Sequence, residues 1–567
     1  MQQCDEGKPT CQRCEKSKRE CGGYRPEFEL VHRDQTKSMV RRLRKGQQAT
    51  AGAASSSEGQ VVQERINSPS TVTQSIIFVL EEPETWRRRS SSPSPVLTVP
   101  LAQRASCYFA SNFILVPAQA TAPNGFMEYL IPLIETEPAG SPLRYAFNAC
   151  AFALLGNRAK ADNVDLGELS LKEHTLALGE THKALGKGSA TNANSVLAAV
   201  LLLTLYENIT AIKESRMLAW QTHIDGAVHI VKSRGRDELF KTQTGRLLFT
   251  AVRQFLVSRT LSSGAPLPFG TDWWFDTEDS NTLLAVAQRF AMRYSEMRAE
   301  TTRLLKNFSR TPESDEQLRK LIKEIQGIDR EIAKWLASLP EESRSRTLCW
   351  VWEEDVGLTK MGNYAEIEVF PGRVDVYPDF VSARGINLAR VARLLLAVQS
   401  IRLIACLCSP MDYRMSPDYE ISKRICEGSI SEIIASVPYH LGWHVKHQKA
   451  LDPGISGFAC GDDGPFKALP AYFLIWALVC VKNHDITSEE QRAWVKGRLR
   501  VIADRVGVKY AQTLNDVELR LPSMMIAPDG MPGPDPFAGP GLPKRPVAMP
   551  PTPESLDRTP SPSPAPG

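Results

Sequence analysis

Residues 196–206 and 386–408 are apolar on nearly every face when read with a helical period. A helix that is hydrophobic all round must be covered by other helices or by lipid, so these two stretches demand either a large helical body or a membrane. The longest apolar runs, 196–206 and 469–481, fall short of the roughly 18 residues a span needs. The N-terminus also lacks the apolar core of a secretory signal. The expectation is therefore an intracellular chain with no membrane partner, whose apolar stretches are central helices. Composition agrees: 42% hydrophobic and 23% charged residues, with a mean hydropathy of -0.24, exclude a collagen, a wholly disordered chain and a polytopic membrane protein.

Around those central stretches, residues 101–521 read as helix almost throughout. Met217, Trp220, Ile224, Ala227 and Val231 step by three and four, with Arg216, Asp225 and Lys232 off that stripe and Gly235 as the stop. Residues 315–339 form a charged amphipathic helix carrying Leu318, Leu321, Ile322, Ile325, Ile328, Ile332, Trp335 and Leu336 on one side, ended by Pro340. No run of alternating strands competes with this pattern. The class expected is mainly α.

The ends differ. Residues 47–100 shift to Ala, Ser, Gly, Gln and Pro, too polar to offset the entropy of ordering. The last 40 residues, from Pro528, hold 14 prolines. The organisation expected is a cysteine-rich module at 1–24, a basic and then disordered linker at 25–104, a helical domain at 105–521 and a disordered Pro-rich tail at 522–567. Thr-Pro and Ser-Pro steps in the tail, and Arg87 to Ser92 in the linker, resemble kinase sites.

Of 12 cysteines, four lie within the first 21 positions. Cys4, Cys11, Cys14 and Cys21 are separated by six, two and six residues, with Lys8, Arg13, Lys16, Lys18 and Arg19 around them. Four thiolates this close in sequence suit a tetrahedral zinc, which also lowers their pKa values; the scatter of the rest argues against a disulfide scaffold. Residues 1–50 carry 12 Lys and Arg against 7 Asp and Glu, although the whole chain is only +4. Arg13, Lys16, Lys18, Arg19, Arg41, Arg42, Arg44 and Lys45 are candidate phosphate contacts, which position a protein on a duplex without reading bases. For residues 41–45, nuclear localisation and phosphate contact stand equally.

The run from Cys4 to Tyr24, with Pro9 in its first gap and Gly23-Tyr24 closing it, resembles the second half of a fungal binuclear zinc-cluster DNA-binding domain. In that family six cysteines hold two zinc ions, and the spacing here matches the third to the sixth. Further segments are similar to the family's helical regulatory domain: Trp220-Gln221-Thr222-His223-Ile224-Asp225-Gly226-Ala227 through Gly235, Tyr377-Pro378-Asp379-Phe380, residues 387–396, Ser436-Val437-Pro438-Tyr439-His440-Leu441-Gly442 and residues 492–514. The resemblance implies a zinc-dependent, sequence-specific DNA-binding transcription factor of RNA polymerase II genes in a fungal nucleus. Its implied partners are promoter DNA, a second copy of the chain and the transcription machinery or co-regulators. The family's first two cysteines, and the basic helix that reads bases, have no counterpart here, because only Met1-Gln2-Gln3 precedes Cys4. The intact spacing of the remaining half favours a chain that begins late. The alternative is a regulatory, partner- or ligand-binding helical protein that does not bind DNA.

Enzyme chemistry finds no footing. His440, His444 and His447 have helical spacing for a metal, but His440 sits in a packing segment and Gly442 interrupts the helix. Gly186-Lys187-Gly188-Ser189 has Thr181 where a phosphate loop needs glycine. Asp462-Asp463-Gly464 is an isolated acidic turn. No nucleophile elbow, zinc-protease helix or dinucleotide fingerprint is present.

Overall fold

The computed structural model describes residues 99–116, 125–158, 165–186, 193–211, 215–262, 267–276, 281–357, 362–446, 467–517 and 522–526, without the side chains of residues 215–218, 445 and 446. The chain divides into two units, 1–104 and 105–567. Of the first, only residues 99–104 are described, at the start of helix α1 (Leu101–Phe113).

The second unit is built from helices, as the apolar periodicity demands. After α2 (Leu130–Thr136) come α3 (Pro142–Arg158), α4 (Leu166–Gly186), α5 (Ala193–Thr210) and α6 (Ser215–Arg234). Every residue of α5 from Ser195 to Ile209 is buried, because α3, α4, α6 and α8 (Gln243–Ser262) surround it. Short α7 (Arg236–Phe240) follows α6, and α9 (Gly270–Phe275) precedes α10 (Leu283–Lys306). α11 (Pro312–Ser338) turns the stripe Leu318, Leu321, Ile322, Ile325, Ile328 and Ile332 inward. A second central helix, α12 (Phe380–Cys408), is enclosed by α10, α11, α13 (Pro417–His440) and α15 (Ala468–Lys482), with α14 (Trp443–Lys446) between the last two. α16 (Glu489–Val501) continues as a π turn, Ile502–Val506, before α17 (Tyr510–Asp516).

Helix starts follow local chemistry. Thr282, Thr311, Asp379, Ser416 and Ser488 each accept a hydrogen bond from a backbone N–H three residues on, at the heads of α10, α11, α12, α13 and α16. Pro312 and Pro417 occupy first-turn positions, where a missing N–H costs nothing. Gly235 has a φ of 78° after the last residue of α6, as expected of a stop, and Gly442, at 74°, follows the end of α13.

Three observations depart from the expectations. Strands β1 (Arg346–Val351) and β2 (Gly372–Val376) form an antiparallel pair, registered from Arg346 opposite Val376 to Val351 opposite Gly372, with an irregularity between Thr347 and Cys349. Their pattern escaped notice because they are short and β1 is largely exposed, so no strict alternation appears. Helices α5 and α12 are also long and apolar enough to cross a membrane by length and composition, since polar residues extend the apolar runs. Yet 83% and 78% of their apolar windows are buried inside the protein, the setting of a core helix. Residues 522–526, assigned to the tail from sequence, form a helical turn at Pro522–Met525, with Pro522 and Met525 buried and Ser523 N–H donating to Asp485 Oδ2 at 2.8 Å.

The π turn and α17 are stitched to α3 and to the end of α5. Asn157 Nδ2 donates to Ile209 O at 2.8 Å and to Gly507 O at 2.7 Å. Thr513 Oγ1 donates to Ala211 O at 3.0 Å. Gly507 combines a φ of 87° with close approach to Asn157 and Arg158, so neither the conformation nor the space admits a side chain without strain.

Candidate functional site

The sequence-predicted zinc ligands Cys4, Cys11, Cys14 and Cys21 lie outside the described residues, as do Arg13, Lys16, Lys18, Arg19, Arg41, Arg42, Arg44 and Lys45. Among the described residues no group of three or more His, Cys, Asp or Glu side chains stands together as a metal site. The described cysteines are free thiols; burial pushes Cys480 up to about 12 and also raises Cys150 and Cys426 well above the usual thiol range, which makes these three poor nucleophiles.

The structure brings together three of the segments that resembled the regulatory domain, those at Tyr377–Phe380, 387–396 and Ser436–Gly442. Asn387, in the second turn of α12, donates from Nδ2 to Ser436 Oγ at 2.7 Å and lies 3.1 Å from His440 Nε2, both on α13. One turn along α12, Arg390 donates to Tyr377 OH at 2.6 Å, Asn387 Oδ1 at 3.1 Å and Glu432 Oε2 at 2.9 Å. Its remaining nitrogen is 4.0 Å from Asp375 on β2. Asp375 also pairs with Arg373 at 3.0 Å. Tyr377, Asn387, Arg390 and His440 are all buried beside the apolar cluster of Leu339, Val376, Ala383, Ile386 and Tyr439. Burial holds the His440 ring well below its usual range, at about 3, with Arg390 and His444 adding to the effect. Burial likewise raises the Asp375 carboxyl against the pull of Arg373 and Arg390. This polar knot ties β2, α12 and α13 together; Tyr377, Asn387, Arg390 and His440 at its centre are buried, while Glu432 and Arg373 reach the surface.

The histidine spacing is now accounted for. His440 meets the Asn387 amide, His444 stacks on Tyr439 with centroids 4.6 Å apart, and burial lowers His444 to about 4. His447 lies outside the described residues. The polar residues of the α6 segment also face packing partners: His223 Nε2 is 4.0 Å from buried Glu207, and Asp225 pairs with Arg259 at 2.8 Å.

A concave surface that sequence reading did not single out opens at the C-terminal end of α6. A cleft of about 600 Å³ is lined by Lys232, Arg234, Arg236 and Lys241, by Asp237 and Glu238, and by Phe269 and Trp273. Trp274 Nε1 donates to Pro268 O at 2.9 Å from below, while Thr271 N–H and Oγ1 donate to Glu296 Oε1 at 2.9 and 2.8 Å. Those bonds hold Phe269 at a φ of 68°, rare for a bulky residue, with its ring exposed. Lys232 Nζ lies 5.2 Å from the centre of that ring. The signal available in sequence was the aromatic cluster Phe269, Trp273, Trp274 and Phe275 beside a basic helix end.

Residues 107–347 match the family model described as the fungal specific transcription factor domain. A relative, transcription factor dbaG of Emericella nidulans (strain FGSC A4), is 25% identical over 344 residues, which cover 60% of this chain and 74% of that protein. No solved structure matches. Residues 107–347 are thus similar to a fungal specific transcription factor domain, and the chain is similar, over 60% of its length, to a fungal transcription factor.

Proposed function

We propose that this chain is a regulator of transcription, a zinc-dependent, sequence-specific DNA-binding factor that acts in the nucleus on genes read by RNA polymerase II. The observation that carries the reading is the joining, in one chain, of the four-cysteine run at positions 4, 11, 14 and 21 to a domain of the transcription factor family. The donor set fits the metal chemically, since four soft thiolates at short spacing suit tetrahedral zinc. Bound there, zinc would supply a rigid crosslink. Arg13, Lys16, Lys18 and Arg19, followed by Arg41, Arg42, Arg44 and Lys45, would then neutralise phosphates along the duplex. Residues 105–521 serve as the regulatory body, with a second copy of the chain and co-regulators as protein partners.

Elemental analysis of the purified chain, paired with a mobility-shift selection from random duplexes, tests this directly. The expected result is bound zinc, with a shift abolished by chelator and by the double substitution Cys11→Ser and Cys14→Ser. A zinc-free chain, or one showing only salt-sensitive, sequence-blind binding, refutes it and leaves a regulator that works through its helical body alone.

A further inference from the structure

We propose that the cleft at the C-terminal end of α6 docks an acidic peptide segment of a partner protein, its carboxylates received by Lys232 and Arg234 and an apolar side chain laid on Phe269. The inference concerns the helical body and stands apart from the zinc and DNA reading. Its lining holds four cations against two carboxylates. Two of those cations face carboxylates already: Arg236 pairs with Asp276 at 2.9 Å and Lys241 with Glu238. Lys232 lies instead over an aromatic face, and Arg234, which donates to the neutral amide oxygen of Asn194 at 3.0 Å, shares the Glu238 carboxylate with Lys241, so four cations against two carboxylates leave the rim net positive. Positive charge at this rim is therefore available to an incoming anion.

Phe269 is the second observation. A bulky residue in the left-handed region costs free energy, and such strain persists only where surrounding structure over-determines it. Here the bonds from Trp274 to Pro268 and from Thr271 to Glu296 do so, and what the strain achieves is a phenylalanine 41% exposed, its ring backed by Trp273 at 4.8 Å between centroids. An exposed aromatic shelf flanked by Arg and Lys has the composition of an interface anchor. Asp237 and Glu238 at the same rim disfavour a continuous polyphosphate, so charge complementarity points to a peptide whose acids are interspersed with apolar residues.

The test uses the full chain and a fluorescently labelled peptide of alternating glutamate and leucine, followed by anisotropy. Saturable binding that weakens with salt is expected, reduced by about tenfold or more when Lys232→Glu and Arg234→Glu are combined. Phe269→Gly is expected to weaken binding to a similar degree while keeping the melting midpoint of the parent, because glycine adopts the positive φ freely. The proposal is overturned by absent saturation, by binding indifferent to these variants, by equal binding of a lysine–leucine peptide, or by competition from a short duplex DNA. A Phe269→Gly variant that melts far below the parent also overturns it, since the ring would then be a packing element.

Discussion

Replacing Arg390 with methionine should cost the fold about 3–5 kcal/mol at neutral pH, the range for removing one partner of a buried charge network. The structure says where that figure arises. Glu432 is 39% exposed and can return to water, so its loss counts for little. Tyr377 OH and Asn387 Oδ1 remain in the interior without the guanidinium at 2.6 and 3.1 Å, and each orphaned buried group costs about 1–3 kcal/mol. Asp375 keeps Arg373 but loses its second cation. Burial already raises the Asp375 carboxyl above its unfolded value, so its stabilising contribution is full below the unfolded pKa and is lost as pH rises through the folded pKa. Without Arg390 that upward shift grows. The stability deficit of Arg390→Met, measured by urea titration against the parent at each pH, should therefore shrink as pH falls into the carboxylate range. Adding Asp375→Asn should recover about 1–2 kcal/mol at neutral pH, the coupling expected of neighbouring sites. A deficit under about 1 kcal/mol, or one that neither acid nor the second substitution reduces, would refute the account of the knot.

Three further outcomes follow from the same structure. Lys482 Nζ, buried in α15, donates to Leu514 O, Asn515 O and Val517 O at 2.9–3.0 Å; Lys482→Met should cost about 3 kcal/mol and speed amide hydrogen exchange across residues 510–517, whereas a variant exchanging like the parent would show that this cap is dispensable. Burial holds His440 at about 3 and His444 and His484 at about 4, below the unfolded value, so their contribution is present above pH 6.5 and lost as pH falls toward 4; a melting midpoint flat across that window would contradict their neutral, buried state. Gly497 of α16 lies against the backbone of Ala365, where a Cβ has no room, and Gly497→Ala should destabilise by about 1–3 kcal/mol in the same urea assay, with an unchanged midpoint as the contrary result.

Much of this was legible in advance where the signal was local. The stripe from Leu318 to Ile332 specified α11 and its buried face, and the apolar runs at 196–206 and 469–481 specified buried helices. The β1–β2 pair was not legible, because each strand is short and its partner lies across an intervening segment. The extents of α5 and α12 were underestimated for a related reason: Asn208 and Arg384 look like interruptions until their buried partners, Tyr472 and Gln254, are known. The cleft escaped because its walls come from the end of α6, from α7 and from the start of α9 with the turn before it, and none of these is a site alone.

By itself the sequence determined the mainly α class, the identity of the central helices and the segments that resemble a regulatory domain, because helical period, caps and breakers act within a few residues. Only the tertiary structure decided which buried polar groups answer one another: Asn387 with His440 across 53 positions, Arg390 with Glu432 across 42, and Asn157 with Gly507 across 350. Periodicity dictates which face of a helix leaves water, but a polar group on that face persists only where another element delivers its partner, and that delivery is a property of the packed chain.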